Sequence, residues 1–215
     1  MLGLTQVKTG AYEFAAKVDH AIETLSDEDY HRRIGSSKVL REELYPLSRL
    51  ALHLKQPGLE VEVEAFGDSG RPDGHIRVTG FRERDFEVQV TYAGYAHEDA
   101  LRAELLATEG FSPGAGEIRK ERASGKIVAI QGGVDLDEHV ARIATTVRSR
   151  FDNKVAKPYA RGTVLLIAFE DLKLYGRESW SQLFSALDGK FDLSGSPFAS
   201  VYLFNGSTNE LHRAA

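Results

Sequence analysis

Alternating apolar and polar residues predict a three-strand meander in the first half of the chain. Over 59–65, 76–78 and 86–90 every second residue is apolar, which is the period of a half-buried strand. Pro57 and Gly58 end the segment before the first strand, and the connection between the last two strands is short. Short connections favour antiparallel neighbours, so the second and third strands are predicted to form a hairpin.

Apolar residues at helical spacing predict helices on both sides of the meander. The helical pattern covers 11–25, 40–54, 98–108 and 135–157. In the second of these, Pro46 is expected to kink the helix, and stepping 100° per residue places Glu42 near the polar face and Glu43 beside the apolar stripe. A carboxylate beside a buried stripe needs a metal, an arginine or a water-filled cleft, unless its head reaches solvent at the rim.

The second half of the chain has the pattern of a strand, a helix and a strand. Residues 163–169, TVLLIAF, show no alternation, which is typical of a strand buried on both faces. A helix through Trp180 and Leu187 and a strand at 200–204 follow, and this order favours a right-handed crossover with parallel pairing. The sequence therefore predicts an α/β fold, with a mixed central sheet flanked by helices. We expect a helical extension over residues 1–36 and a single α/β domain over 37–215.

Composition narrows the class of protein. The chain has 215 residues, 42% hydrophobic and 27% charged, as in an ordinary globular domain. No apolar run approaches the ~20 residues that cross a bilayer and the N-terminus has no secretory pattern, so a cytoplasmic protein without a membrane partner is expected. The absence of Cys excludes disulfides and thiolate chemistry. The net charge of −5 argues against a broad nucleic-acid coat but leaves room for a local basic cleft.

Three polar side chains are predicted to share one face of the hairpin. Asp73 precedes its first strand, and Glu87 and Gln89 lie one pleat apart on its second. If the apolar residues of both strands face one core, two carboxylates and an amide converge on the opposite side, near one end of the hairpin. His75 lies on the same face as a candidate base, although a surface histidine is the simpler interpretation.

This grouping resembles the signature of the PD-(D/E)xK nuclease superfamily. The matching residues are Pro72 and Asp73, followed by Glu87, Val88 and Gln89, with Gln89 where that family usually has Lys. The order of elements over residues 37–169 is similar to the restriction-endonuclease-like core, with Glu43 in the helix before the meander. The resemblance implies that Asp73 and Glu87 bind Mg²⁺, with Mn²⁺ as a substitute, and that Glu43 and Gln89 complete the catalytic set.

The resemblance implies that the chain is a metal-dependent nuclease that hydrolyses phosphodiester bonds and has a role in restriction or defence. DNA is the expected substrate in preference to RNA. Cutting both strands of a duplex calls for two sites, so a homodimer is expected. The candidate nucleic-acid-binding residues are basic side chains in the Gly-rich segment 111–133 and at the end of the long helix: Arg119, Lys120, Lys154 and Lys157. Lys154 or Lys157 is also a candidate for the cation that Gln89 does not supply.

Two alternatives stay open. In the first, the same fold has lost catalysis at Gln89 and serves as a binding or assembly module. In the second, the chain is an unrelated α/β interaction protein in which residues 71–74 form a type I turn, with Pro and Gly at their preferred positions, and Glu87 lies on a solvated strand face.

Overall fold

The computed structural model describes residues 3–67, 72–94, 96–112, 118–129, 135–189 and 191–215. A seven-stranded mixed sheet lies at its centre, in the order β1-β2-β3-β4-β7-β8-β9, and β5 and β6 form a separate hairpin. The strands are β1 (Thr9–Gly10), β2 (Leu59–Ala65), β3 (Gly74–Gly80), β4 (Arg84–Tyr92), β5 (Ile118–Lys120), β6 (Ile127–Ala129), β7 (Thr163–Phe169), β8 (Phe198–Asn205) and β9 (Glu210–Arg213). The predicted α/β class, with a mixed sheet flanked by helices, is confirmed.

Helices cover both faces of the sheet. They are α1 (Ala11–Glu23), α2 (Asp27–Arg32), α3 (Ser36–Val39), a π-helical turn (Leu40–Leu44), α4 (Tyr45–Leu54), α5 (Ala96–Glu109), α6 (Leu136–Val155) and α7 (Gly176–Leu187). Helices α1 and α4 pack on one face, while α6 and α7 pack on the other. No helix in these described ranges has the length and apolarity needed to cross a bilayer.

Strand β7 explains why the sequence has no alternation there. Leu166 contributes to the core beneath α1 and α4, whereas Leu165 and Ile167 contribute to the core beneath α6 and α7. All of its residues are buried, because helices close both faces at the middle of the sheet. The predicted burial of this strand on both faces is confirmed, as is its parallel pairing with β8.

The meander and the following crossover set the edge on which the candidate residues lie. Strands β2, β3 and β4 pair antiparallel in sequence order, and β7 pairs parallel with β4. The carboxyl ends of β4, β7 and β8 therefore lie at one edge of the sheet, together with the start of β3. In open α/β sheets, the carboxyl ends of the parallel strands are the usual place for ligands.

The N-terminal segment shares a core with the elements that follow it. Phe14 and Val18 of α1 are almost fully buried in the same cluster as α4 and β2, and β1 pairs with β2. The predicted division into 1–36 and 37–215 stays a prediction.

The helix before the meander differs from its prediction at one turn. Pro46 lacks an N–H and its ring conflicts with the carbonyl four residues earlier, and the preceding turn widens so that the Tyr45 N–H bonds to the Leu40 carbonyl, the i→i+5 pattern of a π turn. The predicted difference between Glu42 near the polar face and Glu43 beside the apolar stripe is not seen, because both residues are partly buried. Glu42 and Glu43 both line a cleft.

Candidate active site and cleft

A cleft of about 790 Å³ opens at the carboxyl edge of the parallel strands. Its floor includes Thr91 at the end of β4, Glu170 and Asp171 after β7, and Ser207 after β8. Helices α2, α5 and α6 and the π turn supply the walls. The sheet therefore places loop and strand-end side chains where a ligand several residues long can reach them.

The cleft is positively charged although the chain is acidic overall. Nine Lys and Arg side chains line it against five Asp and Glu side chains, whereas the whole chain carries −5. The cations are Arg32, Arg33, Lys38, Arg41, Arg102, Arg142, Arg150, Lys154 and Lys173. Concentrating one sign of charge in a concave surface favours an anionic ligand, and the net charge of the whole chain does not reveal this local excess of cations.

One face of α6 supplies a row of these groups. His139, Arg142, Arg150 and Lys154 all line the cleft and are spaced by three, eight and four residues, which keeps them on one side of a helix. At about 1.5 Å per residue the row is about 22 Å long. The cleft thus has two distant ends, one at His139 and one at Lys154.

Asp73 joins the two strands of the hairpin. Its carboxylate Oδ2 accepts a hydrogen bond from the Val90 N–H at 2.6 Å and another from the Gln89 side-chain amide. The backbone ladder pairs Gly74 with Val88, so the Asp73 side chain extends the pairing one step past the first residue of β3. The predicted convergence of Asp73 and Gln89 is present.

Glu87 lies on the same strand face but one pair further along. The ladder places it opposite His75, which makes it a diagonal neighbour of Asp73, about 7–8 Å away in a regular antiparallel pair. The His75 ring contacts Asp85. Within the described ranges, no three carboxylate or imidazole groups form a cluster suited to a metal ion.

Lys154 links the hairpin to the cleft. Burial lowers the pKa of its ammonium below the usual range, and the negative charges of Asp73 and Glu43 act in the opposite direction. Asp73 and Glu43 therefore both act electrostatically on one half-buried cation at the end of α6. Of the predicted site residues, Glu43 and Lys154 line the cleft itself.

Tyr159 is a neighbour that sequence reasoning missed. Burial raises the pKa of its phenol and the Asp73 carboxylate raises it further. Its ring centroid lies 6.0 Å from the Lys154 Nζ, and the ring packs against Phe198. The signal that could have found it is its position just after Pro158, which follows the end of α6.

The other predicted nucleic-acid contacts lie apart from the cleft lining. Arg119 and Lys120 are on β5, which packs against α5 through Ile118, and the Lys120 ammonium pairs with Glu104 at 2.8 Å. Lys157 is exposed beyond the end of α6. Their role in nucleic-acid binding stays a prediction.

A second group of charged side chains lines the cleft beside α2 and the π turn. Glu170 pairs with both Arg33 and Arg41, and Arg33 lies 3.9 Å from Glu42. Burial raises the pKa of the Glu42 carboxyl, opposed by the charge of Arg33. Arg33 follows α2, Arg41 and Glu42 lie in the π turn, and Glu170 follows β7, so neither hydrophobic period predicted that they meet. The position of Glu170 directly after a buried strand was the one readable signal.

The fold and site define an α/β protein with a cation-lined cleft at the carboxyl edge of a mixed sheet. The chain shows no significant match to a protein-family model, to a curated protein or to a solved structure. Its function is therefore inferred from the hairpin and the cleft themselves.

Proposed function

We propose that this chain is a metal-dependent nuclease on a restriction-endonuclease-like core, acting on DNA. The proposal rests on the group of side chains at one end of the β3–β4 hairpin. Asp73 and Gln89 are hydrogen-bonded there, Glu87 shares their strand face, and Lys154 lies in the electrostatic reach of Asp73. This group of side chains adjoins a cleft with an excess of cations, as an enzyme that binds a polyanion requires.

The topology supports the same proposal. A helix precedes a three-strand antiparallel meander, a long helix follows, and the next strand pairs parallel with the third strand of the meander. This order is similar to the common core of the restriction-endonuclease-like fold. Fold similarity does not define activity, so the chemistry is argued from the side chains.

The donor set fits Mg²⁺. This ion prefers oxygen ligands and is commonly held by one or two carboxylates together with waters and substrate phosphates, so a cluster of three protein ligands is not required. Asp73 and Glu87 supply such a pair on one strand face, and Mn²⁺ takes the same carboxylate donors. When bound, the ion lowers the pKa of a coordinated water and offsets charge on the phosphate.

The chain's own residues have separate tasks in this proposal. The Gln89 amide holds the Asp73 carboxylate and cannot accept a proton at neutral pH. The Lys154 ammonium, which burial leaves less well hydrated, stabilises negative charge that builds on the phosphate. The Glu43 carboxylate orients a water in the cleft.

A binding module without catalysis is the second candidate. The specific observation in its favour is the Gln89 amide, which occupies the place of a lysine in the resembling family and hydrogen-bonds to Asp73 instead of carrying charge. In this alternative the cleft binds nucleic acid, and the hairpin end has only a structural role.

Plasmid cleavage tests the proposal. The protein is incubated with supercoiled DNA and Mg²⁺ or Mn²⁺, with and without a chelator, beside Asp73→Asn and Glu87→Gln. Glu62→Gln is the matched control, because Glu62 is an exposed carboxylate on the neighbouring strand β2. We expect metal-dependent nicking that both site variants abolish and the control retains.

The outcome also separates the two candidates. Nicking that survives in both site variants contradicts a nuclease centred on Asp73. DNA binding without cleavage in the intact protein favours the binding module. Sedimentation velocity with a duplex tests the proposed homodimer, which places one site on each strand.

A further inference from the structure

The cleft is narrow for its length. Its volume is about 790 Å³ and the row of α6 side chains along it is about 22 Å long, so its mean cross-section is about 36 Å². Helices α2 and α5 both line it and pack against each other, which leaves no gap between them in this wall. A B-form duplex, whose major groove alone is about 12 Å wide, does not fit inside.

Two tyrosine–arginine stacks form part of the cleft wall. The guanidinium carbon of Arg41 lies 3.8 Å from the centroid of the Tyr30 ring, and that of Arg33 lies 4.7 Å from the centroid of the Tyr92 ring. Both rings are partly exposed and line the cleft. Glu170 pairs with both arginines, one through each carboxylate oxygen, so the two stacks are joined.

The loop after β7 holds the stacks in place. Asp171, next to Glu170, has one carboxylate oxygen 2.7 Å from the His139 Nε2 and accepts two backbone N–H groups of its own loop through the other, each at 2.8 Å. Asn205, buried at the end of β8, accepts the Asp171 N–H and donates to the Asp171 carbonyl. The wall is therefore formed before a ligand binds, which lowers the entropic cost of binding.

The cations of this part of the cleft already have carboxylate partners. Arg33 and Arg41 pair with Glu170, while Arg102 and Arg142 lie 3.9 Å and 3.6 Å from Glu98. The wall therefore offers a ligand planar surface rather than uncompensated charge.

Two cations at the end of α6 differ from these. Arg150 and Lys154 line the cleft one helical turn apart, and neither forms a salt bridge within the described part of the chain. Asp73 and Glu43 act on Lys154 electrostatically. Negative groups of a ligand are therefore expected at this end, beside the Asp73 corner.

An unpaired nucleic-acid strand has both kinds of surface that this cleft fits. Its phosphates bind cations, and its exposed bases stack on aromatic rings and on guanidinium planes. In a duplex the bases are paired with each other, so their faces and edges are not available to a flat wall inside a narrow cleft.

We propose that the cleft takes one unpaired DNA strand, with its phosphates beside Arg150 and Lys154 and its bases against the Tyr30 and Tyr92 stacks. This inference rests on the proposed nuclease and specifies its substrate as DNA with an unpaired strand next to the bond that is cut. Negatively supercoiled plasmid supplies such a strand where its duplex opens. In the proposed homodimer, each cleft takes one of the two strands.

Fluorescence anisotropy with the full-length protein and a chelator tests the proposal. The probes are a single-stranded oligonucleotide, the blunt duplex of the same sequence, and that duplex with a single-stranded tail. We expect the single strand and the tailed duplex to bind at least about tenfold more tightly than the blunt duplex, the effect of stacking one base. Charge alone favours the duplex, which has the higher charge density. A blunt duplex that binds as tightly as the single strand, or no binding of any probe, overturns the proposal.

Two tyrosine variants and an abasic strand test the stacking itself. Tyr30→Leu and Tyr92→Leu are each expected to weaken binding of the single strand about tenfold and to leave binding of an abasic strand, which keeps its phosphates, unchanged. Tyr12→Leu is the matched control, because Tyr12 is an exposed tyrosine on α1 outside the cleft lining. Arg150→Gln should weaken binding of both strands equally and reduce its salt dependence. If the tyrosine variants do not fold, equal affinity of the intact protein for the normal and the abasic strand overturns the proposal.

The outcome also separates this inference from the nuclease proposal. Single-strand preference in a protein that cuts no DNA contradicts the nuclease and assigns the strand-binding cleft to the binding module. Metal-dependent nicking together with equal affinity for the blunt duplex and the single strand supports the nuclease and overturns this inference.

Discussion

Two aspartates lie at the same edge of the sheet and are held in different ways. The Asp171 corner (Asp171, His139, Asn205) is built from directed hydrogen bonds to both carboxylate oxygens. The Asp73 corner (Asp73, Gln89, Lys154) joins two strands through the hydrogen bonds that the Asp73 Oδ2 accepts, and it adjoins a half-buried cation. Both aspartates are close to the cleft, but their electrostatic consequences differ.

The two corners differ in which side chain has a shifted pKa. Burial would raise the pKa of Asp171, but the His139 hydrogen bond and charge, with the N–H groups of Leu174 and Lys173, hold it below its usual range. In the Asp73 corner the perturbed group is Lys154, whose pKa burial lowers. The first corner stabilises its charge, whereas the second keeps an incompletely compensated cation, which is a feature of functional sites.

The largest expected effect on stability comes from Asp171→Asn. The amide keeps the shape and still accepts from the loop N–H groups, but it removes the charge that holds His139. Losing a buried hydrogen bond to a charged group costs about 2 kcal/mol, so the free energy of unfolding from urea denaturation at neutral pH is expected to fall by about that amount.

The pH dependence gives this prediction its sign. Because the folded-state pKa of Asp171 is lowered, its stabilisation is present above the unfolded-state value of about 3.9 and is lost as pH falls through the folded value. The difference between wild type and Asp171→Asn should therefore shrink below about pH 4. Asp192→Asn, an exposed carboxylate in a similar turn with Ser194, is the control with a much smaller effect. A constant difference across that range contradicts the assignment.

Lys154→Met separates activity from stability. Removing the cation beside Asp73 is expected to lower cleavage about 100-fold, as loss of one preorganised group commonly does. The free energy of unfolding should stay the same or rise, because the buried ammonium is replaced by an apolar side chain of similar length. Lys17→Met, an exposed surface lysine paired with Glu13, should change neither quantity. Lower stability together with unchanged cleavage would make Lys154 a structural residue.

Gln89→Lys, introduced into the Lys154→Met protein, tests whether Lys154 supplies the missing cation. The new ammonium would enter the strand position whose side chain already reaches Asp73. We expect cleavage to recover about tenfold, part of the loss that one charged contact explains. The assay compares initial nicking rates of the double variant and Lys154→Met. No recovery in a folded double variant, checked by thermal unfolding, argues against a shared role.

Much of this fold was predictable because the spacing of apolar residues in the sequence matches the burial of those residues along most helices and strands. The meander alternates because one face of each strand is less buried, and β7 does not alternate because helices cover both its faces. Strands β1 and β9 were missed: β1 has two residues and β9 has four at the sheet edges. Strands this short show no recognisable alternation of apolar and polar residues.

The site was predictable only where strand periodicity sets it. Asp73, Glu87 and Gln89 share a face because a pleat alternates, which the sequence displays. The wall of the cleft depends on the π turn at Leu40–Leu44 and on which loop lies beside which helix. Those placements follow from tertiary packing, so the only local signature of the cluster of Arg33, Arg41 and Glu170 was the position of Glu170 after a buried strand.

The smallest predicted effect concerns how the Asp73 corner is held in place. A Cβ at Gly74 would lie 2.5 Å from the Leu47 Cδ2 and 3.2 Å from the Glu64 carbonyl oxygen. Leu47 of α4 therefore packs directly against the backbone of β3 at Gly74, which has no side chain. Gly74→Ala is expected to lower the free energy of unfolding by about 1 kcal/mol, the cost of a modest overpacking. Gly195→Ala is the control, because nothing lies within 4 Å of its added Cβ and such a change is neutral or slightly stabilising. Urea denaturation measures both. If Gly74→Ala also weakens Mg²⁺-dependent nicking more than its loss of stability explains, then the packing of α4 sets the position of Asp73, whereas hydrogen bonds set that of Asp171. Equal nicking in Gly74→Ala and Gly195→Ala would show that the hydrogen bonds of the hairpin are enough to position Asp73.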